Sequence, residues 1–253
     1  MTGSMQWIGL PDVWDAREAD HGFMASLATF SFVALGLELV VDGTYLTLTG
    51  DVPSLYPLGW QCLTWVGLGA VWLLLARALV LWCRRRGLDP LPPDRPAGER
   101  ADGPDHRAWR AVLGYFAAAV VTAIALPAVV GLPWGFAPVD RFLDLYAQYG
   151  GGAWLAMAAW LVYLVGRCLV VAGLLAYSHR AVLGVATFRG ARWIPWGGLV
   201  TGVCLGTVAL LSRGQAAGLS TLVASVLLGM LHVRSGESLR VTAPFTVLVY
   251  ALV

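Results

Sequence analysis

The stretch GAWLAMAAWLVYLVGRCLVVAGLLAY, residues 152–177, decides the fold class of this chain. Its single charged side chain is Arg167, and apolar or small residues fill most of the other positions. A helix needs about 20 apolar residues to cross the roughly 30 Å hydrocarbon core of a bilayer. The stretch is long enough to cross by itself and therefore predicts a transmembrane α-helix.

The composition of the whole chain favours the same class of protein. Of its 253 residues, 58% are hydrophobic and 13% are charged, whereas a soluble domain carries about 25% charged residues. The mean hydropathy is +0.70. The net charge of +2 is too small for a nucleic-acid-binding surface. We therefore expect a lipid bilayer, and no nucleic acid, as a partner.

Other segments share this length and polarity, and together they predict an all-α polytopic membrane helix bundle of about seven transmembrane helices. The last three predicted segments are short, so they need a thin local bilayer or ends that are buried in protein. The predicted segments are 22–41, 59–83, 109–132, 152–177, 194–211, 217–232 and 239–253. Between the third and fourth, Phe142, Leu145, Tyr146 and Tyr149 have the spacing of an interfacial amphipathic helix.

Arginine placement predicts the orientation. With the N-terminus in the cytoplasm, thirteen arginines lie inside and only Arg141 and Arg213 lie outside, as the positive-inside rule requires. We therefore expect a multi-pass protein of the cell membrane. Its predicted parts are a cytoplasmic segment 1–21, a two-helix membrane part 22–83, a flexible cytoplasmic linker 84–108 and a larger helix bundle 109–253.

Ionisable side chains at membrane depth are costly, so each one is a candidate functional residue. Glu38 and Asp42 form an acidic pair near the predicted outer face, where they either meet headgroups or bind a cation. Arg167 lies deeper, roughly 15 Å from the predicted cytoplasmic face. It needs a partner or water there, and Glu38 is expected to be a poor partner because it lies toward the other face. Arg167 is then either functional or a structural arginine that caps helix carbonyls.

Ser178 and His179 follow the opening stretch directly. Neighbours on a helix point about 100° apart, so these two do not form a nucleophile–base pair. His232 is the kind of histidine that ends a membrane helix. The chain contains no HExxH, GxSxG or phosphate-binding glycine loop, and no closely spaced cysteine pair. No metal and no cofactor is therefore predicted.

Two stretches resemble the CPBP family, which contains the CAAX-processing and bacteriocin-protection intramembrane proteases. LHVRSGESL followed by TAP at 242–244 resembles the family's turn L-x-x-R-T-G-S-L and its next helix start. SHRAVLGVATFRGARWIPW, from residue 178, resembles the region of the Glu-Glu-x-x-x-Arg-Gly motif. The resemblance covers roughly residues 110–253 and implies a CPBP-like membrane helix bundle for 109–253.

At the positions that align with the family's catalytic motifs, this chain lacks the residue types that catalysis needs. Aligned on Gly184, the Glu-Glu pair falls on Ser178 and His179. The other motif positions fall on or near residues without an acid, histidine or amide, namely Leu183, Val208, Ser212, Leu248 and Leu252. General-base catalysis needs a group that takes up a proton, so the resemblance implies a non-proteolytic relative.

The leading hypothesis is a protein that binds or scaffolds a membrane peptide, a partner helix or a lipid in the former cleft. The residues expected to line one water-accessible cleft are Arg167, Ser178, His179, Ser212 and His232. One alternative is an active, divergent intramembrane endopeptidase that uses His179 or Glu38. Another is a small-solute transporter or channel in which Arg167 faces an anionic substrate.

The predicted orientation can be tested with single cysteines after Cys62, Cys83, Cys168 and Cys204 have been replaced by alanine. Asp140→Cys lies in the predicted outer loop, so it should react with a membrane-impermeant maleimide added to intact cells. Gly103→Cys lies in the predicted cytoplasmic linker, so it should react only after the membrane has been permeabilised. The reverse labelling pattern would show that the orientation is inverted.

Overall fold

The computed structural model describes residues 15–50, 56–91, 106–129, 136–188 and 190–253. Every regular element in these ranges is helical, and the described residues include no β-strand. The nine α-helices of these ranges are α1 Asp15–Leu35, α2 Leu37–Thr49, α3 Leu58–Arg85, α4 His106–Val129, α5 Ala137–Tyr149, α6 Ala153–Leu183, α7 Trp196–Arg213, α8 Gln215–Arg234 and α9 Leu239–Tyr250.

Within the described residues, six helical segments are long and apolar enough to cross a membrane, counting α1 with α2 and α5 with α6. This confirms the predicted all-α membrane helix bundle. The seventh predicted segment forms α9, which has 12 residues. At 1.5 Å per residue it is about 18 Å long, so it does not reach across the bilayer by itself.

The first membrane segment extends further than predicted. A break at Gly36 separates α1 from α2, and the helical path then continues to Thr49. The threonines of α2 do not end it, because their hydroxyls donate back to the helix's own carbonyls. Thr44 donates to Val40 at 2.7 Å and Thr47 to Gly43 at 2.7 Å. Such bonds keep polar side chains satisfied in a low-dielectric environment.

Helix α6 is the centre of the bundle and packs against α1, α3, α7 and α9. Its contact with α3 is made backbone to backbone at two glycines. A Cβ atom at Gly69 would lie 2.8 Å from the carbonyl oxygen of Val162, and one at Gly166 would lie 2.5 Å from that of Gly69. Small residues at a crossing allow this close approach, which drives helix association in membranes.

Helices α7 and α8 form a tight antiparallel hairpin around Gly214, whose φ of 92° favours glycine. Gly198 and Gly229 face each other across it, and a Cβ atom on either would lie under 3.0 Å from the other's backbone. At the start of α7, a Cβ atom on Gly197 would meet the carbonyl oxygen of Leu175 in α6. These contacts bury part of both short helices in protein.

The described ends of the predicted linker 84–108 are partly helical, and the first of them is packed against the bundle. Helix α3 continues to Arg85, and Leu88 and Leu91 pack against a buried apolar cluster. The carbonyl of Leu91 accepts a hydrogen bond from Ser238 at 2.5 Å, which ties the segment to the start of α9. Helix α4 begins at His106, inside the predicted linker. Residues 92–105, like the predicted N-terminal segment up to residue 14, lie outside the described ranges.

The predicted amphipathic helix is present as α5. Leu145 is buried, and the Phe142 ring lies 4.6 Å from that of Trp154 at the start of α6. The Tyr149 hydroxyl donates to the Tyr56 carbonyl at 2.7 Å, whereas Tyr146 stays exposed. The apolar face of α5 is thus directed onto the end of the bundle.

The α3–α6 crossing can be tested with Gly69→Ala and the matched control Gly67→Ala, two residues away on the same helix. The added methyl at Gly69 meets backbone atoms, whereas Gly67 has nothing within 4 Å. We expect Gly69→Ala to lower the free energy of unfolding by about 1–3 kcal/mol, measured by thermal unfolding in detergent. Gly67→Ala should be neutral or slightly stabilising. Equal effects of both variants would contradict the close crossing.

Candidate functional site

Three polar side chains meet between α2 and α6 and form the Glu38 cluster (Glu38, Tyr163, Arg167). The Tyr163 hydroxyl donates to Glu38 Oε1 at 2.6 Å and accepts from Arg167 Nη1 at 3.0 Å. Arg167 Nη1 lies 3.8 Å from Glu38 Oε2. Tyr163 is itself fixed by burial, with its ring 5.2 Å from that of Trp72. The positive charge of Arg167 is therefore compensated by a carboxylate.

The sequence prediction that Glu38 is a poor partner for Arg167 is wrong. The prediction ended the first membrane helix at residue 41, which placed Glu38 near the outer surface. Because the helical path continues through α2 to Thr49, Glu38 lies further from the end of the segment, where it reaches α6. Arg167 accordingly has a structural partner.

Asp42, the second member of the predicted acidic pair, is held by a different phenol. The Tyr56 hydroxyl donates to Asp42 Oδ1 at 3.2 Å, and the Tyr56 ring lies 4.2 Å from that of Tyr45. Burial, reinforced by the charge of Asp42, raises the pKa of Tyr56 to about 12. Tyr56 thus keeps its proton at neutral pH and remains a donor to Asp42. Glu38 and Asp42 are engaged separately.

Four side chains from three parts of the chain form the histidine cluster (His179, Arg180, His232, Glu237). Glu237 Oε1 lies 3.9 Å from His179 Nε2, and Glu237 Oε2 lies 3.6 Å from Arg180 Nε. The rings of His179 and His232 are perpendicular, with centroids 5.9 Å apart. Both histidines are buried, whereas the side chains of Arg180 and Glu237 are 17% and 18% exposed. Arg180 and Glu237 thus form the partly exposed rim of the cluster, and the two buried histidines lie beneath them.

Glu237 has a strained backbone. Its φ of 60° lies in the left-handed region, and it is the one non-glycine residue with a positive φ in the described ranges. Its amide donates to the His232 carbonyl at 2.9 Å, which closes the C-terminus of α8. Left-handed conformations cost an ordinary residue roughly 1–2 kcal/mol. Such strain is concentrated at functional sites, and here it directs a carboxylate between His179 and Arg180.

His232 is held through one of its two ring nitrogens. Its Nδ1 lies 2.8 Å from Thr242 Oγ1, near the start of α9. The Thr242 hydroxyl also lies 2.9 Å from the Ser238 carbonyl. The other ring nitrogen, Nε2, is buried and has no hydrogen-bond partner among the described residues.

The five residues predicted to line one cleft lie in three separate places. Arg167 is twelve positions before His179 on α6, about 18 Å along the axis. Ser178 donates to the Leu174 carbonyl at 2.6 Å, so its hydroxyl is engaged by its own helix. Ser212 is exposed and donates to the Val208 carbonyl. Because the start of α7 lies against His179, Ser212 is about 22 Å away along α7. Of the five, only His179 and His232 meet through their side chains.

Sequence reasoning missed Glu237, Arg180, Thr242 and Tyr163. Two of them had a local signal. Tyr163 precedes Arg167 by four residues, the spacing that brings side chains together on a helix face. Glu237 follows Gly236 in a turn, a position that is unusual for a large acidic residue. Nothing near Glu237 in the sequence indicates its contacts with His179 and Arg180 of α6. Those contacts depend on which helix ends meet in the folded protein.

Comparison of the chain with protein-family models, with curated proteins and with solved structures found no match. The resemblance to CPBP proteases therefore rests on the motifs quoted above. Among the described residues, no group of three His, Cys, Asp or Glu side chains is arranged to hold a metal ion.

The contact between Arg167 and Glu38 predicts the sign of their coupling energy in a double-mutant cycle. Arg167→Gln leaves the Glu38 carboxylate without its counter-charge, so it should lower the free energy of unfolding by about 1–3 kcal/mol. Adding Glu38→Gln removes that orphaned charge, so the double variant should recover part of the loss. Thermal unfolding in detergent measures both. Additive losses would show that the two side chains do not interact.

Proposed function

We propose that this protein is a non-proteolytic, CPBP-like membrane protein that binds a membrane peptide at the histidine cluster. The observation that carries the proposal is Glu237, which is strained, partly exposed and directed between His179 and Arg180. A carboxylate that is fixed in position and partly exposed at the end of a helix bundle is available to bind a ligand. Six helical segments of the described residues are long and apolar enough to cross a membrane, which supports an integral membrane protein.

The rim has the hydrogen-bonding groups that a peptide backbone needs. A carboxylate accepts about four hydrogen bonds and a guanidinium donates five. Glu237 Oε2 lies 3.6 Å from Arg180 Nε, and both side chains are partly exposed, so a ligand can reach this ion pair. A peptide segment offers N–H groups to Glu237 and C=O groups to Arg180. The buried histidines act from below by fixing Glu237, and they do not need to touch the ligand.

The geometry favours binding over hydrolysis. Peptide hydrolysis needs a base that activates water and donors that stabilise the oxyanion. The Ser178 hydroxyl is committed to the carbonyls of Leu174 and Leu175. Ser212 lies at the far end of α7 and is exposed. The predicted hydroxyls therefore supply no nucleophile or oxyanion donor to the cluster.

One alternative is supported by a specific contact. Glu237 lies 3.9 Å from His179 and 3.6 Å from Arg180. In a divergent endopeptidase, Glu237 would take a proton from water while Arg180 stabilised the oxyanion. The two functions predict different behaviour of one variant. Glu237→Gln removes catalysis in the endopeptidase and weakens binding in the non-proteolytic protein.

The test uses purified protein in liposomes and two fluorescent probes, a signal-like transmembrane peptide and a prenylated peptide. We expect at least one probe to bind and neither to be cleaved, as followed by anisotropy and mass spectrometry. Glu237→Gln and Arg180→Gln should each weaken binding about tenfold, because each removes a charged hydrogen-bond partner. Arg192→Gln is the matched control: it removes an exposed arginine that lies against Trp193.

The outcomes separate the alternatives. Cleavage that disappears in Glu237→Gln would replace the binding function with the endopeptidase. Absence of binding to both probes would contradict the proposal, and so would equal weakening by Arg192→Gln. Size-exclusion profiles that match the parent protein establish that each variant is folded.

A further inference from the structure

Two arginines and one tryptophan meet on the surface of the bundle and form the arginine–tryptophan patch (Arg192, Trp193, Arg234). Arg234 Cζ lies 5.0 Å from the centroid of the Trp193 ring, and Arg192 Cζ lies 5.7 Å from the same centroid. Arg192 and Trp193 belong to a 3₁₀ turn between α6 and α7, whereas Arg234 is the last residue of α8. All three residues are exposed. One ring thus brings together two guanidiniums from distant parts of the chain.

The charge of the patch is not offset by a carboxylate of the described residues. The ion pairs among those residues include neither Arg192 nor Arg234. From residue 145 to residue 253 the sequence has a single acid, Glu237, which is engaged within the histidine cluster. An indole ring attracts a guanidinium but has no oxygen acceptor, so the guanidinium N–H groups remain available to a ligand. The patch therefore favours an anion that carries several oxygen acceptors.

The turn that carries Trp193 is fixed by its own hydrogen bonds. Gly190 begins the turn with a φ of 95°, a conformation that favours glycine. The Trp193 amide donates to the Gly190 carbonyl at 2.9 Å. Trp196 Nε1 donates to the Ala191 carbonyl at 2.9 Å, which ties the turn to the start of α7. Because the backbone of Trp193 is already ordered, binding at the patch costs less conformational entropy.

The patch lies at the level of the membrane surface. Helix α7 begins at Trp196, directly after the turn, and α8 ends at Arg234. Both helices are long and apolar enough to cross a membrane, and they form an antiparallel hairpin, so these two ends lie at the same surface. Trp193 is 54% exposed, and Phe188 of the same loop is 53% exposed. Exposed aromatic rings beside arginines are typical of the boundary between lipid and water.

We propose that the arginine–tryptophan patch binds the headgroup of an anionic phospholipid. The guanidinium fork matches the oxygens of a phosphodiester bidentately. A phospholipid also supplies apolar surface beside its phosphate, which the exposed rings of Trp193 and Phe188 can cover, whereas a soluble phosphate leaves both rings in water. No residue of the histidine cluster belongs to the patch, so the proposal does not depend on the peptide-binding function.

The experiment uses full-length protein in a maltoside detergent and two phospholipids with the same acyl chains. Phosphatidylglycerol and phosphatidylcholine both contain a phosphodiester, but only the first has a net negative charge. Native mass spectrometry should show phosphatidylglycerol bound in preference to phosphatidylcholine. Arg234→Gln should weaken phosphatidylglycerol binding about fivefold, the effect of one arginine near an anionic surface. Adding Arg192→Gln should weaken it further.

The matched control is Arg141→Gln, which should leave phosphatidylglycerol binding unchanged. It also removes an exposed arginine that lies over a tryptophan ring, but that ring belongs to the buried Trp65. Trp193→Leu tests the shared ring without removing a charge. It should weaken binding, because the ring holds both guanidiniums together. The substituted side chains are exposed, and size-exclusion profiles that match the parent protein establish that each variant is folded.

Three results would overturn the proposal. They are equal binding of the two lipids, equal losses in Arg234→Gln and Arg141→Gln, and unchanged binding in Trp193→Leu. Displacement of phosphatidylglycerol by inorganic phosphate would identify a soluble anion as the ligand instead of a lipid. The lipid assay contains no peptide, so its failure and the failure of the peptide-binding function are observed separately.

Discussion

The close approach of α6 to its neighbours is the constraint on which the rest of the structure depends. Gly69 and Gly166 let α3 and α6 touch backbone to backbone, and Gly197 brings the start of α7 against Leu175. Lipid provides no hydrophobic force between helices, so such contacts must supply the packing energy. Because α6 is held on several sides, the polar groups along it are fixed in position. Both polar clusters are built on this one helix.

Several polar side chains inside the membrane-spanning helices have hydrogen-bond partners within the protein, so their depth alone does not indicate a function. Ser31, Ser225 and Thr246 donate to carbonyls of their own helices. Arg167 is compensated by Glu38. A deep arginine is therefore no guide to function by itself here. The informative groups are those without a partner, such as the buried Nε2 of His232, which has no hydrogen bond among the described residues.

The fold class followed from sequence because the length and polarity of a helix are local properties. The ends of the helices and the contacts between residues were predicted less well from the sequence. The prediction ended the central helix at Tyr177 because Ser178 and His179 are polar, yet both lie within α6. Their polar atoms find partners in the helix backbone and at Glu237. The five residues predicted to line a cleft do not all come together, and sequence order does not show which end of α7 faces His179.

The short helix α9 runs from the histidine cluster to the middle of α8. Thr242 near its start holds His232, and Tyr250 at its end lies 2.7 Å from Ser225. Both of those partners belong to α8 and are seven residues apart, two turns on one face. The register of α9 against α8 is therefore fixed at both ends. A helix too short to cross the bilayer is stable here because its polar ends are bonded inside the protein. A slip of this register would separate His232 from Thr242 and Tyr250 from Ser225, so the position of His232 in the histidine cluster depends on how α9 packs against α8.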